Sequence, residues 1–403
     1  MAQIRIASKI SHLSYAIRDI VAAAEKVQKK GKKIYWLNIG DPNRFDFRPP
    51  QHVLDAIGGA LKGGKYTGYA PSQGEPLLRE EIAKKEGVGV ESTFVTNGLS
   101  EGIDFIFAAL LEAGDNILMP RPAYPLYVTK SKVLGCVENY YECGPEWVPD
   151  VGDMRRKVNG KTRAIVVINP NNPTGALYPQ KVLQEIGNLA AEHDIPVIAD
   201  EIYDRLVFEG KCANMRDVVG KDVKLISGNG MSKNYFYPGA RVGYLALHGQ
   251  GMEPLEEALV KLTNARLSVN WEMQFGLLAA MQGSMDYLGQ GVEKLKKRGA
   301  LLHKMLNEAP GISCTKPQAA FYAFPKVELG GRWKDDFAFV HGLLEETGVL
   351  CVPGSAFGAK KEEGYVRLVF LPQEEELQEA LMLMQKYVSN GGKLWYPELT
   401  SSR

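Results

Sequence analysis

Apolar residues in this chain fall into short unbroken runs set between stretches of helical spacing. Ala164-Ile165-Val166-Val167-Ile168 and Ile195-Pro196-Val197-Ile198-Ala199 are too short for helices and end in polar turns, as buried strands do. By contrast, Ile17, Ile20, Val21, Ala24 and Val27 fall on one face of a helix over Tyr15 to Lys30, with Gly31 as its stop. A strand over Lys33 to Leu37 then leads into the turn Gly40-Asp41-Pro42. From about Pro49 to Gln282 the two patterns alternate: a strand at Val95, a helix from Ser100 to Gly114, a strand from Asn116 to Met119, a helix from Pro179 to His193 and a strand from Val223 to Ser227. Such alternation predicts a mostly parallel sheet with helices on both faces. A helix over Tyr287 to Leu306 then leads to a second domain. There, shorter strands (Phe321 to Pro325, Leu350 to Val352, Tyr365 to Phe370) alternate with helices in an α+β pattern. The expected division is an arm and part of the smaller domain over 1–45, a large domain over 46–290 and a small domain over 291–403. No internal repeat or low-complexity segment interrupts the pattern, and the last dozen residues read as a poorly ordered end.

Composition narrows the class. A chain of 403 residues, 45% hydrophobic, can bury one large core and one smaller one. Its net charge of +1 is spread along the chain, which argues against a nucleic-acid or membrane-surface partner. No apolar run reaches the length of a membrane span, and Met1-Ala2-Gln3-Ile4-Arg5 lacks the apolar core of a secretory signal, so a cytoplasmic protein is expected. The five cysteines, Cys136, Cys143, Cys212, Cys314 and Cys351, show neither CxxC nor zinc spacing; they read as reduced and structural, with no metal site.

The candidate chemistry sits at strand ends. Asn169-Pro170-Asn171-Asn172-Pro173-Thr174-Gly175 follows the first apolar run and Asp200-Glu201-Ile202-Tyr203 the second, where open α/β sheets bind ligands. A lone lysine is usually a solvated charge. Lys233, however, lies eight positions before Arg241 at the far end of this pattern, which suggests an amine built for a Schiff base with a guanidinium nearby to hold a phosphate.

As a set, these residues closely resemble the fold-type I aminotransferases that use pyridoxal 5'-phosphate, in particular their aspartate/alanine aminotransferase group. The resemblance runs from Gly40-Asp41-Pro42 to Arg367 and rests on Asn172-Pro173-Thr174-Gly175, Asp200 with Tyr203, Lys233 with Arg241, and the late Arg367. It implies a mostly parallel, seven-stranded sheet covered by helices, plus a smaller α+β domain. It also implies roles. Lys233 would form the Schiff base and then shuttle a proton as general base and acid. Asp200 would pair with the pyridine nitrogen, and Tyr203 and Asn172 would donate to the phenolic oxygen. Arg241 would clamp the phosphate, helped by the turn Gly98-Leu99-Ser100 at a helix start, by the Ser232 hydroxyl and by Tyr69 from a neighbouring subunit. Many relatives carry a serine three places before the lysine; here that residue is Gly230, so one phosphate contact is missing or supplied otherwise. Tyr124 would stack on the cofactor ring. Arg367 would take the substrate α-carboxylate, with the Gly40 backbone beside it. The family's Pro-x-Gly-x-Phe-Tyr turn has Ala319 in the glycine's place, which predicts a different shape. The active unit is then a homodimer.

Within the group, Tyr15-Ala16-Ile17-Arg18, Leu37 to Pro42, Asn229 to Lys233 and Arg266 to Asn270 are most similar to microbial alanine aminotransferases. That implies alanine and 2-oxoglutarate exchanging with pyruvate and glutamate by a ping-pong mechanism, with Tyr15 and Arg18 near the side-chain pocket, although both could equally be helix-surface residues. The aromatic segment Asn234-Tyr235-Phe236-Tyr237 keeps aspartate, aromatic or broad specificity open, and Lys233 with Asp200 would serve a carbon–sulfur β-lyase or a racemase equally. Gly59-Ala60-Leu61-Lys62-Gly63-Gly64-Lys65 has P-loop spacing, but it follows a helical pattern and is succeeded by Tyr66, so a nucleotide-binding ATPase is disfavoured.

Overall fold

The computed structural model describes residues 4–11 and 16–393, without the side chains of residues 11 and 16–19. The chain divides into two compact units, the first comprising residues 1–13, 41–294 and 318–320, the second residues 14–40, 295–317 and 321–403.

A seven-stranded sheet forms the first unit's centre: β1 (Thr93–Thr96), β2 (Asn116–Arg121), β3 (Val137–Glu142), β4 (Thr162–Ile168), β5 (Val197–Asp200), β6 (Leu225–Gly230) and β7 (Gly243–His248). Its order is β1-β7-β6-β5-β4-β2-β3. The strands run parallel except β7, which is antiparallel to both its neighbours. Period-two alternation explains the unbroken apolar runs, because both faces are covered. On one face Ala164, Val166, Ile168 and Ile198 pack with Ile103, Ile106 and Phe107 of the helix Leu99–Leu110. On the other, Ile165, Val167, Val197 and Ala199 pack with Leu183, Ile186 and Leu189 of the helix Gln180–Glu192. A further core joins Val53 and Ile57 of the helix Gln51–Leu61 to Leu78, Ile82, Val95, Tyr244 and Leu277. Gly59 to Leu61 are thus the end of a helix, which disposes of the P-loop alternative.

The second unit carries three small sheets. Tyr35–Trp36 pairs parallel with Val349–Leu350, and Ile312–Ser313 antiparallel with Lys326–Val327. A three-stranded sheet has Val366–Val369 between Tyr322–Ala323 and Val352–Pro353. Helices Ala16–Lys29, Asp336–Thr347 and Glu374–Ser389 belong to this unit. Helix Asp286–Glu308 starts in the first unit and ends in the second.

Some expected boundaries shift. The strand expected over Lys33 to Leu37 is only Tyr35–Trp36, although Leu37 N–H still bonds Leu350 O; one residue on, the Asn38 carbonyl is taken by Arg367. The helix expected to reach Gly114 ends at Leu110, because Leu111 is extended and Gly114 turns at a φ of +89°. Among the described residues no helix is long and apolar enough to cross a membrane, and no cluster of His, Cys, Asp or Glu could hold a metal ion.

Candidate active site

One edge of the large sheet gathers most of the residues singled out in the sequence. Thr96, Arg121, Ile168, Asp200 and Gly230 end their parallel strands there, and antiparallel β7 begins there at Gly243. Gly98, Tyr124, Asn172, Asp200, Lys233 and Arg241 therefore all come within a few residues of this edge.

Asp200 ends β5 and is buried. Alternation places its side chain on the face of Ile198, toward the helix Leu99–Leu110. Tyr127 donates its hydroxyl to Asp200 Oδ2 at 3.0 Å, and Ile202 N–H approaches Oδ1 at 3.3 Å. Burial pushes the Asp200 carboxyl up to about 6, against the lowering effects of Tyr127, the Ile202 N–H and the positive charge of Lys233. Desolvation therefore wins over three favourable partners. A positive charge placed beside it would favour its ionised form. Burial also holds the Tyr127 phenol far above its usual range, so Tyr127 stays a donor. Tyr124 precedes the helix Pro125–Leu134 and interacts electrostatically with Tyr127.

A second feature is an anion cradle. Gly98 starts the helix Leu99–Leu110 with a φ of +72° and, among the described residues, no side-chain cap. A Cβ on Gly98 would lie 2.5 Å from Arg241 Nη2. Arg241 has a φ of +53° and reaches the Pro238 and Asn97 carbonyls at 3.2 and 3.4 Å, leaving its exposed guanidinium against the helix start. Two positive sources side by side are unfavourable without an anion, so the pair fits a phosphate group. Glycines let the helix descend onto the sheet. A Cβ on Gly228 would meet Leu99 Cδ1 at 2.4 Å, and one on Gly243 would meet Leu99 N at 2.5 Å. A Cβ on Gly230 would meet Gly243 Cα and the Val242 carbonyl, each at 2.7 Å. The space beside Gly230 is thus filled by backbone.

The loop after β4 is pinned by two of its three asparagines. Asn169 Oδ1 accepts from Tyr178 N–H at 2.9 Å and its Nδ2 donates to Ala213 O at 3.1 Å. Asn171 Oδ1 accepts from the Thr174 N–H and hydroxyl at 3.2 and 2.9 Å. Asn172, buried, follows these two anchors, and Tyr203 is buried just past β5. Lys233 and Ser232 are half-buried beyond β6. Tyr69 is 81% exposed. In the Pro317 turn, Gln318 and Ala319 both donate to the Gly175 carbonyl, at 2.9 and 3.0 Å, and Ala320 takes a φ of +58°.

Arg367 and Gly40 belong to the second unit. Arg367 is buried in its strand, donates to the Asn38 carbonyl, and lies 4.8 Å from the Tyr322 ring and 4.7 Å from the Phe357 ring. A Cβ on Gly40 would fall 2.1 Å from the Tyr322 hydroxyl oxygen, so a larger residue does not fit there. Tyr15 lies outside the described residues, as does the side chain of Arg18, whose backbone is in the helix Ala16–Lys29. Sequence reasoning missed Tyr127, which carried no local signal, and a layer of buried polar residues around Glu201 and Asp204.

The profile described as "Aminotransferase class I and II" matches residues 32–382. Over 397 residues the chain is 33% identical to the "Glutamate-pyruvate aminotransferase AlaA" of Haemophilus influenzae, covering 95% of this chain and 97% of that one. It is also 33% identical over 390 residues to the "Alanine aminotransferase" of Mycobacterium tuberculosis, covering 93% and 90%. The solved structure of the alanine aminotransferase from Pyrococcus furiosus superimposes with a TM-score of 0.92 at 43% identity, covering 96% of this chain and all of that one. A sheet edge with these residues, matched over nearly its whole length to these proteins, belongs to an aminotransferase of the class I and II family.

Proposed function

We propose that this aminotransferase uses pyridoxal 5'-phosphate, takes L-alanine as its amino donor and 2-oxoglutarate as its acceptor, and acts as a cytoplasmic homodimer. One observation carries the cofactor reading. A buried carboxyl, Asp200, feels the charge of Lys233 and needs a further cation, while Arg241 and an uncapped helix start need an anion, on the same sheet edge.

When bound, the cofactor supplies a conjugated ring that accepts the electron pair left on the substrate carbon. Asp200 would keep a proton at the ring nitrogen, Asn172 and Tyr203 would donate to the phenolic oxygen, and Tyr124 would pack against the ring. The phosphate is held by Arg241, by N–H groups of Gly98, Leu99 and Ser100 and by the Ser232 hydroxyl. Lys233 would hold the cofactor through its side-chain amine and, once free, would take the substrate α-proton as a base and give it back as an acid. Arg367 meets the substrate α-carboxylate with its planar fork, beside the Gly40 backbone.

Alanine is supported by the names of the relatives above. The dimer is supported by exposed apolar groups on the first unit: Tyr69, Leu61 at 62% and Leu77 at 56%, near an aromatic cluster in which Trp271 lies 5.2 Å from Tyr66 and 5.9 Å from Phe275. Tyr69 of one protomer would then reach the phosphate held by its partner. A cytoplasmic setting is supported by five free cysteines.

A donor panel tests the substrate assignment. With 2-oxoglutarate as acceptor, alanine is expected to give the highest kcat/KM among alanine, aspartate, tyrosine and phenylalanine. A higher value for aspartate or an aromatic donor would overturn the assignment. Release of pyruvate and ammonia from a cysteine conjugate, without any oxo acid, would instead identify a β-lyase.

A further inference from the structure

Behind Asp200 and Lys233 lies a layer of polar side chains that the proposed chemistry does not use. Alternation along the strands puts Glu201 on the opposite face from Asp200, and Asn229 between Gly228 and Gly230. Asp204 joins the two segments. Its Oδ1 accepts from Asn229 Nδ2 at 3.0 Å and from Asn234 Nδ2 at 2.6 Å, and its Oδ2 lies 3.4 Å from Asn214 Nδ2. Asn229 Nδ2 also reaches the Glu201 carbonyl at 2.9 Å, while its Oδ1 accepts from Gly230 N–H at 2.7 Å and lies 3.2 Å from Asn234 Nδ2. Asn234 Oδ1 accepts from Arg205 N–H at 3.3 Å. The far side is anchored by Glu201, which accepts from Met215 N–H at 2.7 Å and Asn214 Nδ2 at 2.8 Å. Asn229 and Asn234 are buried, so each amide left unpaired would carry a desolvation penalty.

Asn229 stands four residues before Lys233 and Asn234 one after it, whereas Asp204 follows Asp200 by four residues and Tyr203 by one. A single carboxylate therefore grips both flanks of the lysine and ties them to the segment that carries the aspartate and tyrosine. We infer that Asp204 is a positioning residue, holding the Lys233 amine in register with Asp200 through Asn229 and Asn234. This rests on the reading of Lys233 and Asp200 as the reacting pair. One acceptor oxygen shared by two buried amides suits a clamp that must hold while the lysine repeatedly joins and leaves its partner.

The test compares Asp204→Ala, Asp204→Asn and Asn234→Ala with the unmodified chain. In cofactor-free protein, amide hydrogen exchange over residues 229–236 is expected to quicken in Asp204→Ala and Asn234→Ala, with little change in the helix Gln180–Glu192. In the loaded enzyme, kcat is expected to fall about ten- to a hundredfold in Asp204→Ala. KM for the amino donor should move by less than about threefold. Asp204→Asn, which keeps an oxygen able to accept both amides, is expected to regain most of kcat. Unchanged exchange over 229–236 in both alanine variants would overturn the inference, as would quickened exchange with kcat intact. Should Asp204→Ala not fold, Asn234→Ala carries the same comparison. Loss of the proposed activity itself reads differently: an unmodified, loaded enzyme that turns over no amino donor sinks both readings, whereas normal turnover in every variant sinks this one alone.

Discussion

Two neighbouring carboxyls, Asp200 and Glu201, face opposite sides of the sheet, and each is displaced upward by burial, to about 6 and about 8 respectively. For Glu201 the nearby Asp204 adds to the shift. A folded-state pKa above the unfolded one favours the folded state while the group is protonated. The associated stability is present below the unfolded values and is lost as pH rises through about 6 for Asp200 and about 8 for Glu201. Cofactor-free protein is therefore expected to melt at a lower temperature at pH 8 than at pH 5. Glu201→Gln should remove most of the decline above pH 6; thermal melts at a series of pH values check both. At this scale the sequence was partly legible. Asp200 stood out because it falls just beyond an apolar run, and Lys233 because it lies eight positions before Arg241. The three asparagines of the loop after β4 did not separate, since only the partners of Asn169 and Asn171, Tyr178, Ala213 and Thr174, reveal those two as anchors. Tyr127 stayed silent because its hydroxyl meets Asp200 across 73 residues of chain.

Helix and strand ends set the cradle, and its tolerances are steric. Gly98→Ala would need the left-handed backbone without glycine's freedom and would press a methyl into Arg241. The expected result is a weaker grip on pyridoxal 5'-phosphate, read as a raised Kd in a spectroscopic titration. Gly230→Ser is expected to destabilise the protein by about 1–3 kcal/mol, because its Cβ meets backbone that cannot rotate away. Urea unfolding of both proteins checks this. The strands themselves were legible, since runs buried on both faces leave an unbroken apolar signature. Their exact ends were not: Leu110 ends its helix because Leu111 is extended, and Trp36 its strand where the Arg367 side chain takes the Asn38 carbonyl. Gly230 suggests, by sequence alone, a missing hydroxyl at the phosphate, whereas its neighbours Val242 and Gly243 give glycine there a packing reason.

At the scale of the whole molecule, residues 318–320 belong to the first unit although 321–403 belong to the second. The reason is the pair of N–H groups on Gln318 and Ala319 that share the Gly175 carbonyl, a link across more than 140 residues that no local pattern announces. The mostly parallel sheet, by contrast, was readable from the alternation of apolar runs with helical spacing. If protomers share sites as proposed, two inactive proteins should rescue each other. Lys233→Ala and Tyr69→Ala, unfolded together and refolded as a mixture, are expected to recover activity approaching about a quarter of the unmodified enzyme's, since half of randomly paired dimers are hybrids with one intact site of two. No recovery would count against the shared site. The central claim, that Lys233 and its surroundings move an amino group from alanine, is tested most directly by a half-reaction. Loaded enzyme is mixed with L-alanine in the absence of any oxo acid, and absorption and pyruvate are followed together. The account predicts loss of the yellow band with one pyruvate formed per site, and its return on adding 2-oxoglutarate with release of glutamate. A yellow protein that alanine leaves unchanged would contradict it.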